Sequence, residues 1–199
     1  QSMLAILGLD PAATGRVFVR GRELKLGAMD AAMAAGLGLV PEDRKRQGLV
    51  LPLNCRENAA LAALPLLSHA GWVDRVAERT LVGRYAQRLR VRTASLEAPI
   101  SSLSGGNQQK LALAKWLARD CDVLLLSGGS SKGTGDLVKD ALGRVGDVMI
   151  SKVVHDEHSA NTYLFRNGLI AADVQPFMRH GEHRQLLLGR GELRAVVED

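Results

Sequence analysis

Apolar residues recur at helical spacing most clearly over 103–120, where Leu111, Ala114, Leu117 and Ala118 share one face. Lys110, Lys115 and Arg119 fall elsewhere on the same cylinder, and the turn Ser104-Gly105-Gly106 opens directly into it. Nearer the start the period shortens. Val17 and Val19 alternate with Phe18 and Arg20 before Gly21, which predicts an antiparallel hairpin over 15–24. A short alanine-rich helix over 29–35 and a buried strand over 36–40 follow. Residues 54–67 and 73–91 read as two helices separated by a break at 68–71, with Asp74, Arg75, Glu78, Arg79 and Arg84 on a solvated face. The run Val123 to Leu126 is apolar throughout, as in a parallel strand buried on both faces. Another strand is expected to end at His155. The first residues read as a helix stopped by Gly8 and Pro11, and the tail from Gln175 as a terminal helix and loop.

Composition narrows this picture. A chain of 199 residues, 46% hydrophobic and 24% charged, suits one full-sized core with room for a small subdomain. Aromatics make up only 4%, so Leu, Val and Ala must fill that core. The net charge of +5 suits an anionic partner. The cations are scattered except at Arg44-Lys45-Arg46, and no aromatics interleave with them, so nucleic acid is not expected as a partner. Cys55 and Cys121 are far apart, make no metal-ligand pattern and read as buried small hydrophobes in a reducing compartment. No signal peptide is visible. The longest apolar run, from Ala59 to Leu67, contains Pro65 and is far shorter than the ~20 residues that cross a bilayer.

The candidate chemistry sits at the glycine turn. A helix start leaves backbone N–H groups unpaired and carries partial positive charge, which suits a phosphate. Glycine lets that backbone approach a ligand closely, and Ser104 adds a hydroxyl that can cap the helix or donate to the same anion. The tripeptide by itself reads first as a plain helix cap. The full octapeptide LSGGNQQK, Leu103 to Lys110, resembles the signature motif of ABC-type ATPases, in the form found in the second ATPase domain of bacterial sugar importers. The resemblance implies that Ser104, Gly105, Gly106 and Asn107 touch the γ-phosphate of ATP held by an opposing domain. PEDRK, from Pro41, resembles the segment that replaces the Q-loop in those domains. Glu42 would stand at the glutamine position, with Arg44, Lys45 and Arg46 close to a membrane permease. A solvated charged turn is the plainer reading of that run. Arg56, Glu57 and Asn58 resemble the step that begins the family's helical subdomain.

Elsewhere the chain departs from the family pattern. Only Gln1 and Ser2 align with the tail of a Walker A loop, Ser2 standing at the hydroxyl that faces Mg²⁺. After the strand at 123–126, where Walker B supplies an aspartate and a glutamate, this chain has Ser127, Gly128, Gly129 and Ser130. Thr134 stands at the D-loop aspartate. A serine cannot offset the charge of Mg²⁺, and a glycine cannot orient water. Loss of a positioned general base costs about 10²–10⁴-fold in rate. A flexible, Gly-Ser-rich loop is the plainer reading of Ser127 to Gly135; it also has the outline of a phosphate-binding loop through its glycines, hydroxyls and Lys132, although the spacing is not that of a P-loop. His155 resembles the switch histidine that contacts γ-phosphate. The pairs His155/His158 and His180/His183 lack the spacing and third ligand of a metal site, and no metal ligand set is expected.

The expected fold is α/β: a P-loop-NTPase-like ABC ATPase core with an antiparallel hairpin and an inserted helical subdomain, truncated at its N-terminus. The expected extent is one ATPase domain over 1–199 lacking most of Walker A, with the helical subdomain at about 53–118. The resemblance implies ATP and Mg²⁺ as ligands. It implies a second ATPase domain and a permease as partners, at the cytoplasmic face of the bacterial inner membrane. A non-catalytic ABC-like fragment that keeps fold and partner surfaces without hydrolysis is the alternative.

Overall fold

The computed structural model describes residues 7, 9, 14–19, 22–25, 27–41, 43–121, 123–126, 147–155, 158–166, 178–180, 183–188 and 193–198. The hairpin forms as the alternation predicts: β1 (Thr14–Val19) pairs antiparallel with β2 (Arg22–Leu24), burying Val17 and Val19. Arg16 and Glu23 ion-pair across its exposed face at 2.8 Å. The alanine-rich helix is α1 (Met29–Ala34), and the buried strand is β3 (Leu37–Val40). Strand β3 runs parallel to β6 (Val123–Leu126), in the register Leu37 to Val123 through Val40 to Leu126. The predicted N-terminal helix lies outside the described residues, apart from the buried Leu7 and exposed Leu9.

Between these two parallel strands the chain is mostly helical. Helix α2 (Cys55–Ala60) is followed by a 3₁₀ turn at Leu61–Ala63 and by α3 (Leu64–Leu67), so the helix predicted over 54–67 is broken into three pieces. Pro65 explains the break: it lacks an N–H and forces α3 to begin afresh just before it. The expected break at 68–71 is a small hairpin of β4 (Ser68–His69) and β5 (Trp72–Val73), turned by Ala70 and Gly71 at positive φ. Helix α4 (Arg75–Arg88) is capped by Asp74, whose carboxylate accepts from the N–H groups of Val76 and Ala77 at 2.9 Å. A 3₁₀ turn at Ile100–Ser102 leads into α5 (Gly105–Ala118).

Helix α5 is the centre of the core. Leu111, Leu113, Ala114, Trp116 and Leu117 are buried in one cluster with Cys55, Ala59, Val82, Leu89, Ile100 and Leu124. Both cysteines lie in the interior outside any disulfide, and burial pushes the Cys55 thiol above its ordinary pKa. Strand β3 meets α5 through Gly38, where an added Cβ would lie 2.8 Å from Trp116 Cε3 and 3.1 Å from Leu124 Cδ1. Only a residue without a side chain admits the indole there.

Two expectations fail. Glu78 is not on a wet face but 1% exposed, ion-paired with Arg56, while Asp74 works as a helix cap. The tail is not a helix and loop. It forms β9 (Met178–His180), β10 (His183–Leu188) and β11 (Leu193–Glu198), in a five-stranded antiparallel sheet ordered β2-β1-β11-β10-β9. The run from Leu193 is too short for a stable helix by itself, and pairing all along β1, from Thr14 opposite Glu198 to Val19 opposite Leu193, makes it a strand. The remaining strands, β7 (Asp147–His155) and β8 (His158–Arg166), form a hairpin that joins β6 through β8, giving the sheet order β3-β6-β8-β7.

Candidate functional site

The signature turn is built from both sides. Upstream, the first turn of α2 holds the loop at 96–98: Cys55 N donates to Ala98 O at 3.0 Å and Arg56 N to Leu96 O at 2.8 Å. Arg56 Nε bonds Glu97 at 2.8 Å while Nη1 reaches the buried Glu78, so one guanidinium links α2, α4 and that loop. The hydrogen bonds from Arg56 and Arg79 hold the Glu97 carboxyl at a pKa of about 2. Asn54 and Glu57 close a reciprocal capping box at the start of α2. Asn58 is buried and bonds both the N–H and the carbonyl of Val50, as well as Leu53 O. Each residue of the Arg56-Glu57-Asn58 step therefore has a separate positioning task.

At the turn, Ser104 is the N-cap residue, exposed, and its hydroxyl makes no capping bond. Its Oγ instead accepts from Asn107 Nδ2 at 3.0 Å. The Asn107 Oδ1 accepts from Arg92 N at 2.9 Å, so both ends of this side-chain amide tie the turn to the loop behind it. The first backbone bond of the helix runs from Gln108 N to Ser104 O at 3.0 Å, and the N–H groups of Gly105, Gly106 and Asn107 precede it without helical acceptors. Gln108 is buried and donates to Ile100 O and Leu103 O, fixing the entry into the turn. Three consecutive N–H groups, an exposed hydroxyl and a helix dipole are the equipment of an anion site and fit the phosphate end of a nucleotide.

The PEDRK segment reaches the same turn. Its last two residues begin a π-helical turn, Arg44–Gly48, capped by the Asp43 carboxylate, which accepts from Lys45 N and Arg46 N. Arg44 extends toward α5: a Cβ placed on Gly105 would lie 2.6 Å from Arg44 Nη2. Arg44 Nε is buried and has no hydrogen-bond partner among the described residues. At the other end of the turn, Lys115 Nζ donates to Gly48 O at 2.8 Å, and burial lowers the lysine's pKa. Arg119 Nη1 likewise donates to Ala62 O at 2.9 Å, and Lys110 Nζ to Arg90 O at 2.9 Å. Both lysines of α5 and its C-cap Arg119 thus satisfy carbonyls in other segments.

Of the site residues expected from sequence, Ser104, Gly105, Gly106 and Asn107 come together at the start of α5. Ser2 and Glu42 lie outside the described residues, as does the loop from Ser127 to Gly135. The backbone of His155 ends β7, opposite His158. It stands five residues, roughly 17 Å at a strand rise of ~3.4 Å, beyond the row that aligns Ile150 and Leu126 through Tyr163. His183 and His180 face each other in the same way across the β9–β10 hairpin. Sequence reasoning passed over Asn54, which the spacing Asn-x-x-Glu before an apolar run could have revealed. It set Arg44 toward a permease with Lys45 and Arg46, and nothing local marks its contact with Gly105.

Comparison with known proteins identifies the family and the fold. The profile described as "ABC transporter" matches residues 2–127, and one described as a family of unknown function (DUF6909) matches residues 140–188. A ribose import ATP-binding protein of Chelativorans sp. is 42% identical over 197 residues, 99% of this chain and 36% of that protein. One from Mesorhizobium japonicum is 42% identical over 129 residues, 64% of this chain and 25% of that protein. The chain thus spans between about a quarter and about a third of these curated relatives. Among solved structures, the dimeric ATP-binding cassette MJ0796 bound to ADP and Pi superposes with a TM-score of 0.55 at 20% identity, over 72% of this chain and 63% of that one. The protein cbiO1 from Clostridium perfringens, part of an ABC transporter complex, gives 0.52 at 17% identity, over 72% and 54%. The fold is that of the ABC ATPases, and the chain belongs to the ABC transporter family.

Proposed function

We propose that this chain is part of the ATP-binding subunit of a bacterial carbohydrate importer, corresponding to its second ATPase half. The observation that carries the reading is the turn Ser104-Gly105-Gly106-Asn107, with an exposed Ser104, three half-buried residues that supply helix-start N–H groups, and the Arg44 guanidinium beside it. The 42% identity to a ribose import ATP-binding protein supports the substrate class. In this reading the turn meets the γ-phosphate of ATP carried by a partner ATPase domain across a dimer. The N–H groups and Ser104 hydroxyl stabilise the phosphate charge, while the links from Asn107 to Arg92 and Ser104 keep them aligned. Mg²⁺ would supply charge neutralisation near Ser2. His155 would approach the γ-phosphate, and Glu42 with Lys45 and Arg46 would face a permease. The chain then sits peripherally on the cytoplasmic face of the inner membrane.

Hydrolysis by the chain is impaired in this reading, because Ser127, Gly128 and Thr134 stand where acids would support Mg²⁺ and orient water. The same residues favour a second reading, a non-catalytic ABC-like domain that keeps only the partner surfaces. Steady-state hydrolysis of Mg-ATP by the purified chain separates them. Slow turnover that His155→Ala abolishes supports an impaired ATPase. Turnover at the buffer rate, unchanged in that variant, supports the non-catalytic domain. A third use of the sequence, nucleotide held by the loop from Ser127 to Gly135, requires that Lys132→Ala remove ATP binding.

A further inference from the structure

We propose that the outer face of the β4–β5 hairpin and α4 is a contact surface for an anionic lipid membrane, with Trp72 as its interfacial anchor. Three apolar side chains close together in the chain stand in solvent: Leu66 at 59% exposure, Trp72 at 82% and Val76 at 78%. The hairpin register accounts for Trp72. It pairs with His69, and the next residue, Val73, packs against the core, so the alternation of a strand sends Trp72 outward. Helix α4 turns Glu78, Val82, Tyr85 and Ala86 inward and leaves Val76 and the arginines Arg75, Arg79, Arg84 and Arg88 exposed along its length.

Charge chooses the occupant. Two acidic groups share this side: Asp74, which caps α4, and Glu97, bound by Arg56 and Arg79. Arg75 also reaches back to Glu78, yet the side chains of Arg75 and Arg79 remain 61% and 68% exposed. By formal charge, Arg56, Arg75, Arg79, Arg84 and Arg88 stand against Asp74, Glu78 and Glu97, an excess of two cations on this side. A two-fold contact with a second copy would bring the same arginines face to face. An anionic membrane offers the opposite charge, attracts each surface cation, and has a headgroup layer where indole rings settle. This surface stands independently of the nucleotide reading.

The test is co-sedimentation of the purified chain with vesicles of phosphatidylglycerol and with vesicles of phosphatidylcholine. Binding to the first, its release by salt, and a blue shift of tryptophan emission are expected. The shift reports Trp72, because Trp116 is already buried. Trp72→Ala, at so exposed a position, leaves the circular dichroism unchanged and weakens binding by on the order of tenfold as apolar area returns to water. Arg84→Gln weakens it by about fivefold. Absence of binding to phosphatidylglycerol, or equal binding by Trp72→Ala, overturns the proposal. So does a lipid-free dimer that Trp72→Ala dissolves, which would assign the face to a second copy.

Discussion

Arg44 lies over Gly105: a methyl group built on this glycine would stand 2.6 Å from the arginine's Nη2. The contact joins two motifs sixty residues apart in sequence, PEDRK and LSGGNQQK, at the turn where a phosphate would bind. Since the crowded atom ends a long side chain, Gly105→Ala is expected to cost no more than about 1 kcal/mol. That cost should vanish when Arg44 is also alanine. A urea double-mutant cycle reads the coupling, expected near the low end of the 0.5–3 kcal/mol range for touching residues.

Gly38 faces a harder obstacle. Its added Cβ would meet the ring of Trp116 at 2.8 Å, within a close-packed core. Gly38→Ala should destabilise the chain by about 1–3 kcal/mol, the usual cost of overpacking. Replacing Trp116 by leucine in the same chain should recover part of the loss. Chemical denaturation of the single and double variants checks this.

The Arg56–Glu78 pair lies in the interior, with side chains 10% and 1% exposed. Glu78→Ala leaves a buried guanidinium with one partner fewer, and a loss of about 3–5 kcal/mol is expected. Replacing both residues by apolar ones of similar volume should cost clearly less. Comparison of the two unfolding midpoints is the measurement.

Glu97 titrates at about 2 in the folded chain, held down by its hydrogen bond to Arg56 and then by that to Arg79, against 4.5 for an unperturbed glutamate. A carboxyl with a depressed folded pKa contributes stability above its unfolded pKa and loses it as pH falls through the folded value. The stability of the chain should therefore decline between about pH 5 and pH 2. Glu97→Gln should be less stable at neutral pH and show a flatter acid limb in that window. Thermal unfolding followed across pH reads both.

How much of this was legible in the sequence depends on the range of the contacts. The turn at Ser104 and the helix after it were readable because both signals are local: glycines before a run of fixed period. The parallel strands β3 and β6 were readable as unbroken apolar runs. Glu78 was misread because Arg75, three residues before it, mimics a surface ion pair, whereas its buried partner is twenty-two residues away. The tail was misread because Leu193–Glu198 becomes a strand through pairing with Thr14–Val19, at the other end of the chain. The approach of Arg44 to Gly105 was hidden for the same reason.

The central claim is that Ser104–Asn107 grips the phosphate of a nucleotide held by another ATPase domain, and Gly106→Asp tests it most directly. An aspartate in the first turn suits the helix dipole and leaves the fold intact, yet places a carboxylate where the phosphate would sit. The chain would be mixed with an intact ribose import ATP-binding protein of the Chelativorans type, with and without ATP, and followed by sedimentation velocity. The account predicts a complex that appears only with ATP and is lost in Gly106→Asp. A complex that forms without ATP, or that survives Gly106→Asp unchanged, would contradict it.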